Sequence, residues 1–499
     1  MGPLSATLRL IAAGWRLVRA DALLPRELDP FLPAQARFAA RTLRLFSGRE
    51  ARRGRPGERL AHAFERLGPV SIKLGQFLST RADVFGETFA MDLGRLKDRL
   101  PPFPSDLARE EARAVLNRPF ESVFASFEPP VAAASLAQAH PATLPDGRRV
   151  AVKVLRPGVE ARVARDVAAM RRAARLADRW VAPARRLEPV LFVETVARAL
   201  QMELDLRLEA AGASELGEVM ARDGYMHAPE VVWDAVGRRV MTLTWADGMA
   251  LSDPLSLEQP GLDRPELANN LTRGFLAQAL DHGVFHADLH EGNLFAAPPY
   301  RLTAVDFGIV GRLGPGERRY LAEILWGFLR RDYRRVAEVH FEAGYVPETY
   351  AVADFAQALR AVGEPIFGRV ASEVSMARLL TQLFEITALF EMRLRPELVL
   401  LQKTMVTVEG VARRIDPGHD IWAAARPVVE RWVRRELGPV GRARDLVEEG
   451  VRAVHALSRL ADASPAQTVV VQAPPQRNWA ATLIALAALA AALAALFGR

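Results

Sequence analysis

Cysteine is absent from this chain of 499 residues. Disulfide bonds, thiolate metal sites and cysteine nucleophiles are therefore excluded, and the absence fits a reducing compartment. Aromatic residues are also few, at 7%, and they rarely interleave with the basic residues that give the chain a net charge of +7. Because proteins bind single-stranded nucleic acid with aromatic side chains set beside basic ones, we expect no nucleic-acid partner.

Long apolar runs are scarce as well. Arg9, Arg16 and Arg19 interrupt the first residues, so we expect no secretory signal peptide there. The apolar residues of this stretch share one helical face, and they are Leu8, Ile11, Trp15 and Val18. Two interpretations stay open, since such a face can lie on a membrane surface or pack on the body of the protein.

The one long apolar run extends from Trp479 to Phe497 without a charge, between Arg477 and Arg499. A helix of that length extends about 28 Å, close to the hydrocarbon thickness of a bilayer. We therefore expect a transmembrane anchor at 478–498. The alternatives are a buried helix of alanine and leucine, or a helix that pairs in a homodimer.

The chemistry is concentrated in the run from His286 to Asn293 and in the tripeptide Asp306-Phe307-Gly308. These segments place Asp288, then Asn293 five positions later, then a second aspartate. Protein kinases use this order of groups to hold the metal ions of a nucleotide and to position the attacking group. Carboxylate and amide oxygens also suit Mg²⁺. The motifs therefore indicate ATP chemistry.

The pattern of the remaining chain agrees with a kinase. A hairpin with a turn at Leu144–Gly147 and a strand at Arg239–Trp245 precede a mostly helical region, and helical spacing covers Arg37–Leu100 and Arg162–Leu216. We predict an α+β, protein-kinase-like two-lobe fold with a small β-rich N-lobe and a larger helical C-lobe. The predicted divisions are a helical N-terminal extension (1–125), the N-lobe (126–248), the C-lobe (249–460), a linker (461–477) and the transmembrane helix (478–498).

Lys153 lies on the second strand of the hairpin, between Val152 and Val154. A lysine on a strand is usually a solvated surface residue. Here a kinase-like motif follows downstream, and kinases carry a phosphate-binding lysine on this strand. We therefore expect Lys153 to contact ATP.

That lysine needs an acidic partner, and the candidates are Glu203, Asp205 and Glu209. Glu203 and Asp205 do not share a face of a helix. Glu209 would lie about 240° around the axis from Glu203. All three carboxylates cannot pair with one cation, so we expect two cations to form ion pairs with them.

Two features depart from an ordinary protein kinase. Lys73 and Gln76 share a helical face after the Gly68-Pro69 break, and the residues alone assign this pair no role. The expected glycine-rich nucleotide loop is replaced by the alanine-rich stretch 131–140. Because alanine disfavours the positive φ angles that glycine allows, this loop should be stiffer and should hold ATP differently.

In combination, these segments resemble the UbiB family of atypical kinase-like proteins, which act in ubiquinone biosynthesis. The matching segments are Lys73-Leu74-Gly75-Gln76, Ala132 to Ser135, Val152-Lys153, Glu203-Leu204-Asp205, His286 to Asn293, Asp306-Phe307-Gly308, Leu78-Ser79-Thr80-Arg81 and Pro101-Pro102-Phe103-Pro104. Each motif alone is weak, whereas their conjunction between Leu67 and Gly311 is specific.

The resemblance implies a set of ion pairs. Lys153 would contact the phosphates and pair with Glu209. Lys73 would pair with Glu203 or Asp205, and its helix would lie over the place where a kinase takes its peptide substrate.

It also implies the nucleotide and metal contacts. Asp288 would occupy the catalytic position, while Asn293 and Asp306 would hold Mg²⁺. The residues Thr244 and Trp245 would lie in the hinge beside adenine. The loop that meets ATP would consist of Ala132, Ala133, Ala134 and Ser135.

Two departures from the family stand out. Glu291 takes a position where the family commonly has proline, and it adds a negative charge near the metal ligands. The single apolar tail segment differs from relatives that have two.

The resemblance predicts an ATPase or phosphotransferase that supports ubiquinone biosynthesis at the membrane, with ATP and Mg²⁺ as cofactors. An ATP-binding pseudokinase scaffold for a lipid-modifying complex is the alternative. The implied partners are a membrane lipid or quinone precursor and other ubiquinone-biosynthesis enzymes, with a homodimer left open. Because ATP is cytoplasmic, the kinase-like body is expected in the cytoplasm, held at a bacterial-type inner membrane by a single C-terminal span.

Two rival functions are weaker. A metal hydrolase could use His286 and His290, four residues apart with Asp288 between them, but it leaves Lys153 unexplained. An ordinary serine/threonine kinase conflicts with the alanine-rich loop and with the Lys73 motif.

Overall fold

The computed structural model describes residues 14–22, 34–48, 54–79, 87–94, 96, 101–116, 118–180, 188–364, 386, 389–392 and 396–438. These residues form two compact units. The first combines the described residues up to Leu208 with Val232–Thr244, and the second combines Glu209–Val231 with the described residues from Trp245 onward. The domain boundaries proposed from the sequence stay a prediction.

The first unit contains an antiparallel sheet and several helices. Its helices are α1 (Ala34–Arg44), α2 (Pro56–Leu67), α3 (Pro69–Ser79), α4 (Glu87–Gly94), α5 (Ser105–Val115), α6 (Phe120–Val123), α7 (Val159–Trp180) and α8 (Pro189–Glu203). Its strands are β1 (Ser126–Phe127), β2 (Ala132–Ala133), β3 (Ala137–Thr143), β4 (Arg149–Leu155) and β5 (Val240–Thr244). The strand order is β1-β3-β4-β5, and β2 also pairs with β3. The predicted hairpin is confirmed, with Gly147 at a φ of 87° in its turn.

The alternation of β4 determines which way Lys153 points. Val152 and its neighbours two residues away are fully buried, in a core that also contains Ala108 and Ala112 of α5. Because successive side chains of a strand point to opposite faces, Lys153 lies on the face that α5 does not cover.

The second unit is mostly helical. Its helices are α9 (Leu206–Asp223, whose first three residues belong to the first unit), α10 (Arg264–Ala277), α11 (Pro315–Arg330), α12 (Tyr333–Glu342), α13 (Val352–Gly363), α14 (Pro396–Ile415) and α15 (Ile421–Glu436). Its short strands are β6 (Met249–Ala250), β7 (Val284–His286), β8 (Leu294–Ala297), β9 (Arg301–Ala304) and β10 (Val310–Arg312). They form the sheets β6-β8-β9 and β7-β10, around the two predicted motifs. The α+β prediction is confirmed.

One predicted helix is interrupted. The sequence predicts a helix throughout Arg162–Leu216, and this is wrong, since α8 ends at Glu203 and α9 begins at Leu206. At the break the carboxylate of Asp205 accepts a hydrogen bond from the backbone nitrogen of Arg207 at 3.2 Å. An aspartate that bonds to nearby backbone competes with the helical pattern, and it favours a turn here.

The predicted membrane localisation is corrected. Within the described ranges, no helix combines the length and the apolar character that a membrane span requires. The longest described helix, α7, has 22 residues, but charged side chains recur along it. A charge at the bilayer centre costs about 2.5 kcal/mol or more. The segment 478–498, where the anchor was predicted, lies outside the described residues.

Only part of the predicted N-terminal amphipathic face is described, because Leu8 and Ile11 lie outside the described residues. Val18 is buried, whereas Trp15 is 48% exposed. The ring of Trp15 lies 5.6 Å from the ring of Phe46. This end of the face therefore packs partly on the segment of the same chain that contains Phe46.

Candidate active site

Lys153 lies in the middle of β4, opposite Ala139 on β3 and Met241 on β5. On the other edge of β3, Ala139 pairs with Ala132 of the alanine-rich loop. Neighbouring strands lie about 4.8 Å apart. The sheet therefore brings the lysine and the loop, two of the predicted nucleotide contacts, within two strand spacings.

The alanine-rich loop is a narrow hairpin and not an open turn. Ala132 and Ala133 form β2, and the nitrogen of Ala134 donates to the carbonyl of Ala137 at 2.8 Å. Ser135 is fully buried. Among the described residues with positive φ, none belongs to this loop, so alanine is not strained here.

Lys73 forms an ion pair with Glu203. Its Nζ lies 3.0 Å from the Oε2 of Glu203, and the two side chains are 15% and 19% exposed. Asp205 pairs instead with the guanidinium of Arg207, at 2.6 and 2.8 Å. That guanidinium lowers the pKa of Asp205. Of the two partners that the resemblance allowed, the structure selects Glu203 for Lys73.

Three predicted contacts stay predictions. Glu209 lies in the first turn of α9 and belongs to the second unit, whereas Lys153 belongs to the first. Thr244 ends β5 opposite Val150, and the boundary between the units falls between Thr244 and Trp245.

The chain after this boundary passes very close to β8. Gly248 has a φ of 91°, and a Cβ atom at this position would lie 2.2 Å from the carbonyl oxygen of Ala296. Only glycine fits both the backbone angle and the space.

His286 forms hydrogen bonds at both kinase-like motifs, the one that contains Asp288 and the one that begins at Asp306. It is fully buried at the end of β7, and its Nδ1 accepts a hydrogen bond from the nitrogen of Asp288 at 3.1 Å. Its Nε2 lies 3.1 Å from the carbonyl oxygen of Val305, the residue before Asp306. Burial lowers the pKa of His286, which favours the neutral ring with its hydrogen on Nε2. One neutral imidazole thus fixes the backbone at both Asp288 and Val305.

Asn293 and Asp306 are also held close together. The side-chain nitrogen of Asn293 donates to the carbonyl of Asp288 at 3.0 Å, which leaves its side-chain oxygen to accept a cation. Its own carbonyl accepts from the nitrogen of Val305 at 2.9 Å. Asp306 then adopts a φ of 63°, an angle that aspartate tolerates better than most residues.

His290 stands beside Asp288 at the surface. Its Nδ1 accepts from the nitrogen of Gly292 at 3.0 Å, and its Nε2 lies 3.7 Å from the Oδ2 of Asp288. This second distance is too long for a hydrogen bond. The histidine therefore shapes the loop, and Asp288 keeps a side chain that is 39% exposed.

The metal-hydrolase alternative is wrong. Since His286 ends a strand and both of its ring nitrogens contact backbone, it does not share a helical face with His290. Within the described part of the chain, no three His, Cys, Asp or Glu side chains are grouped to hold a metal ion. Mg²⁺ commonly takes one or two carboxylates together with phosphate oxygens and waters. The donors Asn293 and Asp306 therefore fit an ion that arrives with a nucleotide.

Sequence reasoning missed the buried polar residues that support these loops. Gln278 starts a five-residue π-helix at the end of α10, and its side-chain oxygen accepts from the nitrogen of His286 at 3.0 Å. Gln138 and His140 are buried on β3, one on each side of Ala139. Two polar residues at alternate positions of a buried strand were the available signal.

A second missed contact involves Glu291. Its carboxylate forms an ion pair with Arg414 at the end of α14. The hydroxyl of Thr404, on the same helix, donates to the carbonyl of Ala287 at 3.0 Å. Helix α14 thus contacts the loop on both sides of Asp288.

Comparisons with known families agree with this geometry. Residues 95–340 match the ABC1 atypical kinase-like domain, and residues 359–420 match the UbiB helical domain. The first match contains both motif loops, the alanine-rich loop and Lys153. The second overlaps α14, which contacts the loop around Asp288.

Curated relatives match most of the chain. A probable protein kinase UbiB of Marinobacter nauticus is 40% identical over 442 residues, which cover 87% of this chain and 80% of that protein. A protein of the same name from Cellvibrio japonicus is 39% identical over 427 residues, which cover 84% and 77%.

A solved structure shares the fold. It is a Mycobacterium tuberculosis protein whose structure was determined in complex with erythromycin. It is 23% identical, with a TM-score of 0.50, and the match covers 73% of this chain and 93% of that one. At this identity the likeness concerns the fold alone.

Proposed function

The chain belongs to the UbiB family of atypical kinase-like proteins, which act in ubiquinone biosynthesis, and we propose that it binds ATP with Mg²⁺ and cleaves the γ-phosphate bond. The phosphoryl group would pass to a quinone precursor, another small acceptor or water. The single observation that carries the proposal is a set of hydrogen bonds. His286 and Asn293 each bond to the backbone of Asp288 and to the backbone of Val305. These bonds hold together the loops that carry Asp288, Asn293 and Asp306.

Each residue has a role in this proposal. Lys153 meets the α- and β-phosphates as a point cation. Asn293 and Asp306 hold Mg²⁺, and the chemistry that Mg²⁺ supplies is neutralisation of phosphate charge. Asp288, with its exposed carboxylate, accepts the proton of the attacking hydroxyl or water.

The remaining predicted residues have supporting roles. The loop Ala132–Ser135 contacts the phosphates, and Thr244 and Trp245 contact adenine. Glu209 fixes Lys153, while the ion pair of Lys73 with Glu203 fixes α3 against α8.

The test is calorimetric titration of the full chain with ATP and Mg²⁺, together with a phosphate-release assay. Asp306→Asn keeps a side chain that tolerates positive φ, so it should fold, but it should lose at least about tenfold in nucleotide affinity because one charged ligand is gone. Asp288→Asn should still take up ATP, and its turnover should fall about 100-fold or more.

The control is Asp146→Asn, a half-exposed carboxylate that pairs with Arg148 in the hairpin turn. It should match the wild type in both assays. Equal hydrolysis by wild type and Asp306→Asn would argue against catalysis. Nucleotide uptake with no turnover in any variant would favour the scaffold alternative.

The pathway is tested by quinone profiling of cells that lack the protein. Wild type should restore ubiquinone and Asp288→Asn should not, because the proposal requires turnover. A normal ubiquinone level in the deletion strain would remove the pathway assignment.

A further inference from the structure

The segment Pro101–Pro104, here called the proline segment, is fixed to strand β3 by a buried glutamine. Gln138 is 2% exposed, and its side-chain oxygen accepts from the nitrogen of Phe103 at 2.9 Å. Its side-chain nitrogen donates to the carbonyl of Phe103 at 3.1 Å. One side chain thus satisfies both backbone groups of Phe103, as a neighbouring strand would.

The orientation of this glutamine is itself determined by His140. The second hydrogen of the Gln138 side-chain nitrogen points to His140 Nε2, 2.8 Å away. An amide nitrogen only donates, so this ring nitrogen accepts, and Nδ1 carries the hydrogen that bonds to the carbonyl of Glu128 at 2.8 Å. His140 is fully buried and stacks on the ring of Phe127. The anchor below the proline segment is therefore rigid.

Arg156 joins the proline segment to the alanine-rich loop. Its Nε donates to the carbonyl of Ala134 at 3.0 Å, and its Nη2 donates to the carbonyl of Pro101 at 2.9 Å. The guanidinium carbon lies 5.6 Å from the centre of the Phe103 ring. The backbone nitrogen of Arg156 donates to the carbonyl of Leu136, the residue that directly follows the loop Ala132–Ser135. The planar fork of arginine makes the two side-chain hydrogen bonds and the ring contact simultaneously, which the single ammonium group of lysine cannot do.

We propose that Arg156 is a positioning residue for the nucleotide, and that it makes ATP binding depend on the proline segment. The proposal rests on the proposed binding of ATP at the loop Ala132–Ser135. A hairpin tip that is held only by its own strand pairs can still shift as a unit. The bond to Ala134 fixes the tip to a segment that Gln138 already holds, so the phosphates meet a loop that is in place before binding.

The experiment measures hydrogen exchange of the loop amides and the affinity for ATP with Mg²⁺ in the full chain. Arg156→Lys keeps the charge and loses the fork, so we expect exchange of the loop amides to become about tenfold faster and the dissociation constant to rise by about tenfold. Turnover at saturating ATP should change little, because no reacting atom is touched. Phe103→Leu keeps an apolar side chain and removes the ring, and it should shift both readouts by about threefold in the same direction.

The matched control is Arg148→Gln, on the same hairpin, where the guanidinium bonds to the turn residue Asp146. It should leave both readouts at their wild-type values. Thermal midpoints exclude a folding defect in Arg156→Lys, and Phe103→Leu provides an independent variant if that one is unstable.

The outcomes separate this inference from the proposed function. Unchanged loop exchange in both Arg156→Lys and Phe103→Leu would overturn the inference, whatever the nucleotide does. Faster exchange at wild-type affinity would also overturn it, because the loop would then not position ATP. Absence of ATP uptake by the wild type would count against the proposed function. The exchange data would still show whether Arg156 holds the loop in place.

Discussion

Glu291 lies at the position where the resemblance to the family implies a proline. It is the first residue of the short 3₁₀ helix Glu291–Asn293, after His290. The carboxylate pairs with Arg414, and the two side chains are 39% and 35% exposed. The guanidinium of Arg414 on α14 therefore compensates the negative charge beside Asn293. The spacing between Asp288 and Asn293 is kept.

Glu291→Pro should be tolerated. The first position of a helix suits proline, since its missing N–H has no helical partner there. The lost ion pair is partly exposed and contributes about 0–1 kcal/mol. We expect the free energy of unfolding to change by no more than about 1 kcal/mol and the affinity for ATP to stay within about threefold. Denaturant unfolding and titration check this, and a large loss in either would mean that the Glu291–Arg414 pair sets the loop shape.

His340 provides a pH prediction. It is 6% exposed between Tyr345 and Phe355, and burial lowers its pKa to about 4. In the unfolded chain the pKa is about 6.5. The unfolded state thus binds more protons between these values, so stability is present above pH 6.5 and is lost as the pH falls toward 4.

The expected loss is up to about 3 kcal/mol from this group. Unfolding by urea at pH 7, 6 and 5 measures it, with His340→Gln as the comparison. The variant should be less stable at pH 7 but should show a shallower decline with acid. Parallel declines in the two proteins would show that His340 is not a source of the acid sensitivity.

At the scale of the elements, the ion pair of Lys73 with Glu203 joins helix α3 to the end of helix α8. Both side chains are mostly buried, so a lone charge left there is costly. Asp205, two residues on, is already bonded to Arg207. The pair is therefore specific, although a sequence with two nearby carboxylates does not indicate which one is used.

Charge reversal tests the role of this pair. Lys73→Glu alone should cost about 3 kcal/mol of stability, because two buried carboxylates then face each other. Lys73→Glu with Glu203→Lys should recover a substantial part of that loss. If the double variant regains stability but not ATP turnover, Lys73 acts on the reaction itself. If it regains both, the pair acts only as a tether.

Element boundaries show where the sequence patterns failed. Helical periodicity continued across Leu204 and Asp205, but α8 ends at Glu203 and the side chain of Asp205 accepts from the backbone of Arg207 in the first turn of α9. The hairpin around β3 and β4 was predictable, because its valines alternate and Gly147 supplies the positive φ. Periodicity reports burial, whereas the end of an element depends on individual hydrogen bonds.

At the scale of the whole molecule, the chain has two compact units, and predicted nucleotide contacts come from both. A ligand that binds only the folded state stabilises it by a free energy that grows with the logarithm of the free ligand concentration once this exceeds the dissociation constant. At 100 times the dissociation constant the gain is about 2.7 kcal/mol. Nucleotide binding should therefore be visible in unfolding without any assay of catalysis.

We expect ATP with Mg²⁺ to raise the thermal midpoint of the wild type and of Asp288→Asn by a similar amount. Asp306→Asn should show at most about half of that shift, because its metal ligand is changed and its affinity is lower by at least about tenfold. ATP with EDTA is the control for the metal. A shift that is equal with and without Mg²⁺ would contradict the roles given to Asn293 and Asp306.

The sequence by itself determined the order of Asp288, Asn293 and Asp306, the strand that carries Lys153 and the family that these motifs resemble. Each of these features can be recognised in a short stretch of the chain, because the spacing of a motif and the alternation of a strand are local patterns. Only the tertiary structure decided that Lys73 pairs with Glu203 and that Arg156 bonds to Ala134 and Pro101. The physical reason is that such partners are distant in sequence, and side-chain packing selects one of several groups with equivalent chemistry.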